Sequence, residues 1–330
     1  MTQSALWLSE NDVTSLVSLG EAIDALEAGL RSLGRNEGQN IPKALGGFGD
    51  ATSMHSLGSA LPALGYSGYK NWIHTKRGAK AVFVLFDTNE GRLLAMMEAN
   101  SLGQLRTAAM TGLGTKWVAA EGASDMALIG SGRQALAQVA AVNAVRPLSR
   151  IRVWSPTAEK RETFAGLLRE KFKAEVIAAP TIEAATDGAS LVTVVTRARD
   201  PFLTSAMLPK GVHLNAVGAI LPANAEFHQD IFERVGFIAV DDVTGVQKAS
   251  REFIDYFEKG AGQGNWDRVR SLGKVIADGE RPPAGADITM FKSMGMGISD
   301  LSVAMLVYER ARAAGIGLTL PLMDVAPLRF

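Results

Sequence analysis

The chain contains no cysteine. Disulfides, thiolate metal sites and thiol nucleophiles are therefore excluded. Histidine is scarce: the chain has 4, at positions 55, 74, 213 and 228, and none stands in a metal-binding spacing such as HExxH. No metal is expected. Charge of one sign is not in excess either, with 34 Lys and Arg against 34 Asp and Glu. Nucleic acids and anionic membrane surfaces both need a basic excess, so neither is an expected partner. A run of about 18 apolar residues, the mark of a membrane span, is also missing. The opening segment MTQSALWLSENDV lacks a basic stretch followed by a long apolar run. No secretory signal is expected, and the expected location is the cytoplasm.

What remains is a chain of 330 residues, 47% hydrophobic and 21% charged, with 34 Gly. That is an α/β composition, long enough for two domains. Residues 8–34 read as helical, with Ser9 and Ser18 as N-caps and apolar residues at three- and four-residue steps. Residues 41–100 read as an antiparallel sheet: GYSGYKNWI, KAVFVLFDTNEG and RLLAMMEA are strands, and DTNEG is a hairpin turn. A helix over 100–122 opens at Asn100 or Ser101. From 124 to about 242 short apolar strands alternate with helical patterns: DMALIG, RIRVWS, AEVIAA, LVTVVT, HLNAVG and FIAVDD. This alternation implies a parallel sheet covered on both faces. Residues 243–287 are helical and polar, and 288–315 begin as a strand and become a long helix.

The first strand of the alternating region runs into Gly130, Gly132 and Ala135, a G-x-G-x-x-A pattern that opens a helix. In that setting the first glycine permits a tight turn, the second lets a pyrophosphate approach the backbone, and the alanine allows close helix–strand packing. The helix N-terminus then offers amides to phosphate. The plainer reading is a turn that needs glycine for its geometry only. After the next strand, RIRVWS, an NAD site usually carries an acid for the ribose 2′-hydroxyl. Here the chain has Ser155, Pro156 and Thr157. A small hydroxyl there suits a 2′-phosphate, with Lys160 or Arg161 as helpers or as solvated helix residues. The reading leans to NADP without excluding NAD.

Two cations stand in odd places. Lys70 lies in the aromatic and small-residue strand YSGYKNWI, as a solvated edge residue or a buried functional cation. Arg106 opens the TAAMTGLGTKWVA helix, where the dipole disfavours it and a specific anion would compensate.

Several stretches together resemble the ornithine cyclodeaminase/mu-crystallin family: GYK at 68–70, LRTAAMTGLGTKWVA at 105–119, IGSGRQA at 129–135, HLNAVGAILPANAEF at 213–227 and FKSMGMGISDLSVA at 291–304. They keep order and spacing over nearly the whole chain. The resemblance implies an α/β chain of two domains. Residues 1–120 with 305–330 would form an α+β substrate-binding and dimerisation domain, and 121–304 a Rossmann NAD(P)-binding domain. It also implies a homodimer and redox chemistry at the α-carbon of small amino or imino acids. Lys70 matches the active-site lysine, which would hydrogen-bond the substrate carboxylate or polarise the imine. Arg106 matches the carboxylate-binding arginine. Both are catalytic candidates and substrate ligands. Lys43 stands where many relatives carry a further carboxylate-binding arginine, a point charge in place of a planar fork. His55, His74, Lys76 and Arg77 would serve a second carboxylate or be surface charge. The expected cofactor-binding residues are Thr107, Gly130, Gly132, Arg133, Gln134, Ser155, Thr157, Lys292 and Ser293. Asp300, in a first helical turn, suits the dipole. Glu226 keeps its usual family place, to orient the neighbouring loop.

One departure bears on the reaction. Cyclodeaminases of the family carry an aspartate after the strand-ending glycines, as proton carrier for the amine. Here that position is Ile220, which cannot transfer a proton. The expected activity is therefore NAD(P)H-dependent reduction of a small α-imino acid, cyclic or linear, to the L-amino acid. The reverse reaction is that of an amino-acid dehydrogenase. The alternatives are a cyclodeaminase acting on ornithine, or a crystallin-like dinucleotide-binding protein without turnover.

Overall fold

Two separate patterns of strand burial organise the chain. In the computed structural model, which describes residues 4–48, 52–322 and 327–329, it divides into two compact units. One comprises 1–106 with 296–330, the other 107–295.

The first unit begins with β1 (Ser4–Leu8), α1 (Glu10–Leu16) and α2 (Leu19–Gly34). Ser9 and Ser18 cap these helices, and each forms a reciprocal capping box, with Asp12 and Glu21 respectively. Five strands follow: β2 (Gln39–Phe48), β3 (Thr52–Leu61), β4 (Tyr66–Thr75), β5 (Gly78–Asp87) and β6 (Leu93–Glu98). Helix α3 (Asn100–Val118) starts in this unit and continues in the second.

The second unit alternates strand and helix: β7 (Asp125–Ile129), α4 (Ala135–Val145), β8 (Arg150–Trp154), α5 (Ala158–Lys171), β9 (Glu175–Ala178), α6 (Ile182–Thr186), β10 (Leu191–Val194) and β11 (Val212–Ala216). It closes with β12 (Val235–Val240), α7 (Val243–Ala249), α8 (Arg251–Phe257), β13 (Val269–Ser271), α9 (Leu272–Asp278) and β14 (Ile288–Lys292). The chain then returns to the first unit with α10 (Gly297–Ala314) and β15 (Leu318–Pro321).

In the first unit the sheet order is β15-β1-β6-β5-β4-β3-β2. Only β1 and β6 run parallel; the hairpin-linked neighbours are antiparallel. One face carries Leu57, Phe83, Leu85 and Met97, all buried, under α2 and α10. The two-residue strand period puts Lys70 on that same face, paired across the sheet with Leu57 and Phe83. Its strand neighbours Tyr69, Asn71 and Ile73 point the other way and are exposed.

The second sheet, in order β13-β12-β14-β11-β10-β7-β8-β9, is parallel throughout. Its central strands β10, LVTV, and β11, VHLNA, are buried at every residue, as a sheet covered on both faces requires. The order reverses between β7 and β10, which opens a crevice at the strand C-termini.

His213 sits fully buried in this sheet. Its ring nitrogens lie 2.9 Å from the Thr289 hydroxyl and 3.1 Å from Asn215 Oδ1. Asn215 Nδ2 donates to Thr115 and Thr193, so its Oδ1 faces the ring and receives an N–H from Nε2. Burial pulls His213 down to about 4 from an ordinary 6.5. The unfolded chain therefore takes up a proton below pH 6.5 that the folded chain refuses. Stability is full at neutral pH and falls as pH drops through 6.5 towards 4, by about 3 kcal/mol from this group at the lower limit. Denaturant unfolding at pH 7 and pH 5 should show this loss in the wild type and a smaller one in His213→Gln. Equal losses in both proteins would assign the effect elsewhere.

Among the described residues, no helix is long and apolar enough to cross a membrane, and no group of His, Asp and Glu could hold a metal ion.

Candidate active site

Each unit carries its own part of the candidate machinery. In the second unit the chain leaves β7 through Gly130, whose φ of +121° suits only glycine. A Cβ there would lie 2.8 Å from the Val195 carbonyl oxygen, so the turn is pressed against the end of β10. Gly132 has open space beside it, and Ala135 begins α4 fully buried. No side chain caps α4; the Ala135 amide donates to the Gly132 carbonyl at 2.9 Å, and the amides that follow it are left to water or to an anion. Arg133 is exposed, and Gln134 is half-buried with an unpartnered Oε1. Gly130→Ala should therefore weaken NADH or NADPH binding about tenfold or more, from about 1–3 kcal/mol of backbone strain at the turn. Titration followed by cofactor fluorescence checks this, and an unchanged dissociation constant would remove the turn from the binding site.

At the end of β8, Ser155 is buried and its Oγ has no partner. Arg161 Nη1 donates to the Ser155 carbonyl at 2.7 Å, while its buried Nε is also without a partner. Thr157 is the N-cap residue of α5, but its side chain makes no capping bond. Ser155 and Arg161 thus leave a hydroxyl and a guanidinium N–H unused at the end of β8, with Thr157 exposed nearby in sequence and no carboxylate among the three. These orphaned polar atoms, with the open space at Gly132, fit a dinucleotide.

The loop after β11 is held from below. Glu226 is fully buried and accepts four hydrogen bonds: from the Thr196 amide and hydroxyl, and from the Gly218 and Ala219 amides. Burial pushes its carboxyl up, against the pull of Lys292 and these donors. Glu226 therefore ties the ends of β10 and β11 together. Lys292, also fully buried, donates to the Ala219 carbonyl at 2.6 Å and lies 3.9 Å from Glu252. Ser293 donates to Asp241 at 2.8 Å, and Asp241 also receives the Met294 and Gly295 amides. Lys292 and Ser293 thus bond to protein groups in the loops after β11 and β12. Ile220, carried on the first of those loops, is 39% exposed. Thr107, half-buried on α3, begins the second unit.

In the first unit, Lys70, Arg106 and Lys43 come together. Lys70 Nζ donates to Asp300 Oδ1 at 2.7 Å, and Arg106 Nε lies 3.3 Å from the same oxygen. Asp300 is completely buried, and its Oδ2 has no partner. The Arg106 Nε–H is likewise unbonded, because the ion pair is close but not aligned. The Lys43 and Lys70 ammonium groups lie 5.5 and 5.1 Å from the centre of the Trp72 ring. His55 stacks on that ring, with centroids 4.5 Å apart. Its Nε2 is 2.7 Å from Ser53 Oγ, and its Nδ1 is buried without a partner. Burial, reinforced by Lys43 and His74, lowers His55 to about 4. His74, Lys76 and Arg77 are exposed.

The electrostatics of this cluster are unbalanced. Lys70 and Arg106 share one carboxylate, Asp300, while Lys43 adds a third positive charge beside them. Burial, then Arg106, lowers Lys70 to about 8; Asp300 opposes this, and Lys43 adds to it. Lys43 is an exposed residue, yet desolvation of its ammonium, then the nearby Arg106, holds it below the usual lysine range. Such an arrangement attracts an anion and holds it in fixed orientation. Asp300 is the residue that sequence reasoning placed differently. It does sit in the first turn of α10, yet it is the buried counter-ion of Lys70 and Arg106. The available signal was an acid in GISDLSVAMLV, a helical stretch with no polar face to receive it.

Known proteins resemble the chain over nearly its whole length. The ornithine cyclodeaminase/mu-crystallin family profile matches residues 4–315. A Delta(1)-pyrroline-2-carboxylate reductase of Bacillus cereus is 28% identical over 324 residues, covering 94% of this chain and 98% of its own. The ketimine reductase mu-crystallin of Rattus norvegicus is 31% identical over 244 residues, covering 74% of this chain and 73% of its own. The Thermococcus litoralis Delta(1)-pyrroline-2-carboxylate reductase, solved with NADH and L-proline, superposes with a TM-score of 0.89 at 25% identity, covering 95% of this chain and 99% of its own. An archaeal alanine dehydrogenase dimer with bound NAD gives 0.88 at 25% identity, covering 97% and 100%. With matching motifs, matching fold and a profile spanning both units, the chain belongs to the ornithine cyclodeaminase/mu-crystallin family.

Proposed function

We propose that this protein is an NAD(P)H-dependent reductase of a small α-imino acid, forming the L-amino acid and running in reverse as an amino-acid dehydrogenase. The observation that carries this reading is the convergence of Lys70 and Arg106 on a single buried carboxylate, with Lys43 adding a third positive charge nearby. The excess positive charge calls for an anionic substrate, and the α-carboxylate of an imino acid meets it. The relatives act on the same chemistry: pyrroline-2-carboxylate, ketimines and alanine name their activities. Gly130, Gly132 and the start of α4 would hold the pyrophosphate of a reduced nicotinamide cofactor, which would supply the hydride. Arg106 and Lys43 fix the carboxylate, which sets the position of the neighbouring C=N carbon.

The cofactor site favours NADP. Ser155 and Arg161 offer an unbonded hydroxyl and guanidinium N–H at the end of β8, where an NAD site needs an acid. Thr107, Arg133, Gln134 and Thr157 complete the contacts to phosphate and ribose, with Lys292 and Ser293 acting through the loops they hold. The protein works as a homodimer. Met54, Tyr69 and Ile73 form an exposed apolar patch on the sheet face opposite Lys70, and the archaeal alanine dehydrogenase is a dimer. The cytoplasm, with its pool of reduced nicotinamide nucleotides, is the compartment this reaction needs.

Ile220 argues against cyclodeamination, because an exposed apolar side chain stands where an amine-directed acid would be. The test is oxidation of NADH and NADPH at 340 nm with pyruvate, glyoxylate and oxaloacetate, each with ammonia or methylamine, and with pyrroline-2-carboxylate. Turnover with one of these supports the reading and names the side chain. Silence on the whole panel, with ammonia released from ornithine, would establish the cyclodeaminase instead.

A further inference from the structure

We propose that Trp72, braced by His55, is the specificity-determining residue of the substrate site, and that it selects an imino acid with a short, unbranched side chain. The inference rests on the reductase reading and names the class of side chain that the site accepts.

The face of the first sheet that carries Lys70 is built in rows across its strands. Leu57, Lys70 and Phe83 share one row, His55, Trp72 and Ala81 the next, and Ser53, His74 and Ala79 the one after it. Burial falls from row to row. Leu57, Lys70 and Phe83 are buried, His55, Trp72 and Ala81 are half-buried, and His74 is exposed. On the other side of Lys70 the sheet is closed. Leu85 is fully buried there, and the Phe83 ring lies so near Gly68 that a Cβ at that glycine would come 2.5 Å from it. A ligand that meets Lys70 therefore extends over the Trp72 row, the direction in which this face opens.

Trp72 stands at the carboxylate site itself. The Lys43 and Lys70 ammonium groups lie 5.5 and 5.1 Å from its ring centre. A carboxylate bonded to Lys43 sits about 2.8 Å from that nitrogen, which brings it up against the ring. The α-carbon and its side chain are the next groups along. The ring is also held in place. His55 stacks on it, with centroids 4.5 Å apart and planes 6° from parallel. His55 is tied in turn, with Nε2 2.7 Å from Ser53 Oγ. An indole fixed by a stacked neighbour is a flat wall that does not yield to a larger ligand.

The wall acts by volume. Ala81, the other cross-strand neighbour of Trp72, is small, so the indole and His55 are the large groups of this row. Asn71 and Ile73 face the opposite side of the sheet and take no part. A one-carbon side chain lies flat along the indole, whereas a branch at the β-carbon or an aromatic ring runs into it. Overfilling a fixed apolar pocket by one such group costs about 10- to 200-fold in kcat/KM.

The test measures kcat/KM of wild type, Trp72→Val and His55→Ala with methylamine and pyruvate, 3-methyl-2-oxobutanoate or phenylpyruvate. Wild type should favour pyruvate over each of the bulkier acids by about tenfold or more. In Trp72→Val the value for the bulkier acids, relative to pyruvate, should rise about tenfold or more. His55→Ala keeps the indole but frees it, so the same ratio should rise by a smaller factor. This variant tests the wall even where Trp72→Val does not fold. Imine formation in solution is common to all three proteins and cancels. A rise below about tenfold in folded Trp72→Val overturns the proposal, as does an equal loss with all three acids, which would make Trp72 a structural residue. A wild type that reduces the bulkier imines as well as that of pyruvate overturns it too. An unmoved ratio in His55→Ala overturns the bracing role. A wild type that reduces no imine, pyrroline-2-carboxylate included, overturns the reductase reading itself, which each of the other results leaves standing.

Discussion

Arg106→Met should lower kcat/KM for imine reduction about 100- to 1,000-fold. The guanidinium is only 12% exposed and carries an Nε–H that no protein group accepts, so its binding capacity is kept for a ligand. Truncating one partner of a desolvated charge pair costs about 3–4 kcal/mol, and each 1.4 kcal/mol is a factor of ten. Most of this loss should appear in KM if Arg106 only anchors the carboxylate. A fall in kcat as well would mean that the anchor also aligns the C=N carbon. Arg106→Lys should recover only part of the activity, since a point charge replaces a planar fork. Steady-state kinetics of the three proteins decide this. An Arg106→Met enzyme within threefold of wild type would show that the carboxylate is bound elsewhere.

The second large effect falls on stability. Glu226→Ala should cost about 3–5 kcal/mol, because it removes the common buried acceptor of four donors. Glu226→Gln keeps one acceptor oxygen but turns an N–H₂ towards amides that also donate, so it should recover about half of the loss or less. Chemical denaturation measures both. The loop from Gly218 to Ala225 should also become more open to protease in either variant, since its attachment to the end of β10 is cut. If Glu226→Ala unfolds at the same denaturant concentration as wild type, the staple contributes nothing and Glu226 would have to be kept for another reason.

The local rules of the chain were readable before its three-dimensional form. Ser9 and Ser18 with Asp12 and Glu21 announced two helix starts, and both capping boxes formed. The strand–turn–helix around Gly130 announced a dinucleotide fold, and the positive φ at Gly130 supplies the physical reason. In each case the partners lie within a few residues of one another. Asp300 was different. Its partner Lys70 is 230 residues away in sequence, and no local pattern says that an acid in the first turn of a helix will meet a lysine on a distant strand. Charge imbalance at Lys70 and Arg106 suggested an anion, but not that the protein supplies one of its own. The resemblance pointed to Glu226 as a residue that orients the neighbouring loop and to Lys292 as a cofactor-binding residue, but not to the groups each one bonds. Both are wholly buried, and composition or spacing cannot show which amides converge on a carboxylate or which carbonyl receives an ammonium. Ile220, by contrast, was legible as a departure because its neighbours kept the expected order while it did not.

The most direct test of the central claim is the path of the hydride. The protein would be supplied with reduced nicotinamide cofactor carrying deuterium at the transferable position, and with pyrroline-2-carboxylate or a 2-oxo acid and ammonia. Mass spectrometry of the amino acid would locate the label. One deuterium on the α-carbon, with one equivalent of cofactor oxidised, is the result this account predicts. An amino acid without deuterium, or ammonia released from ornithine with no net change in cofactor, would contradict it.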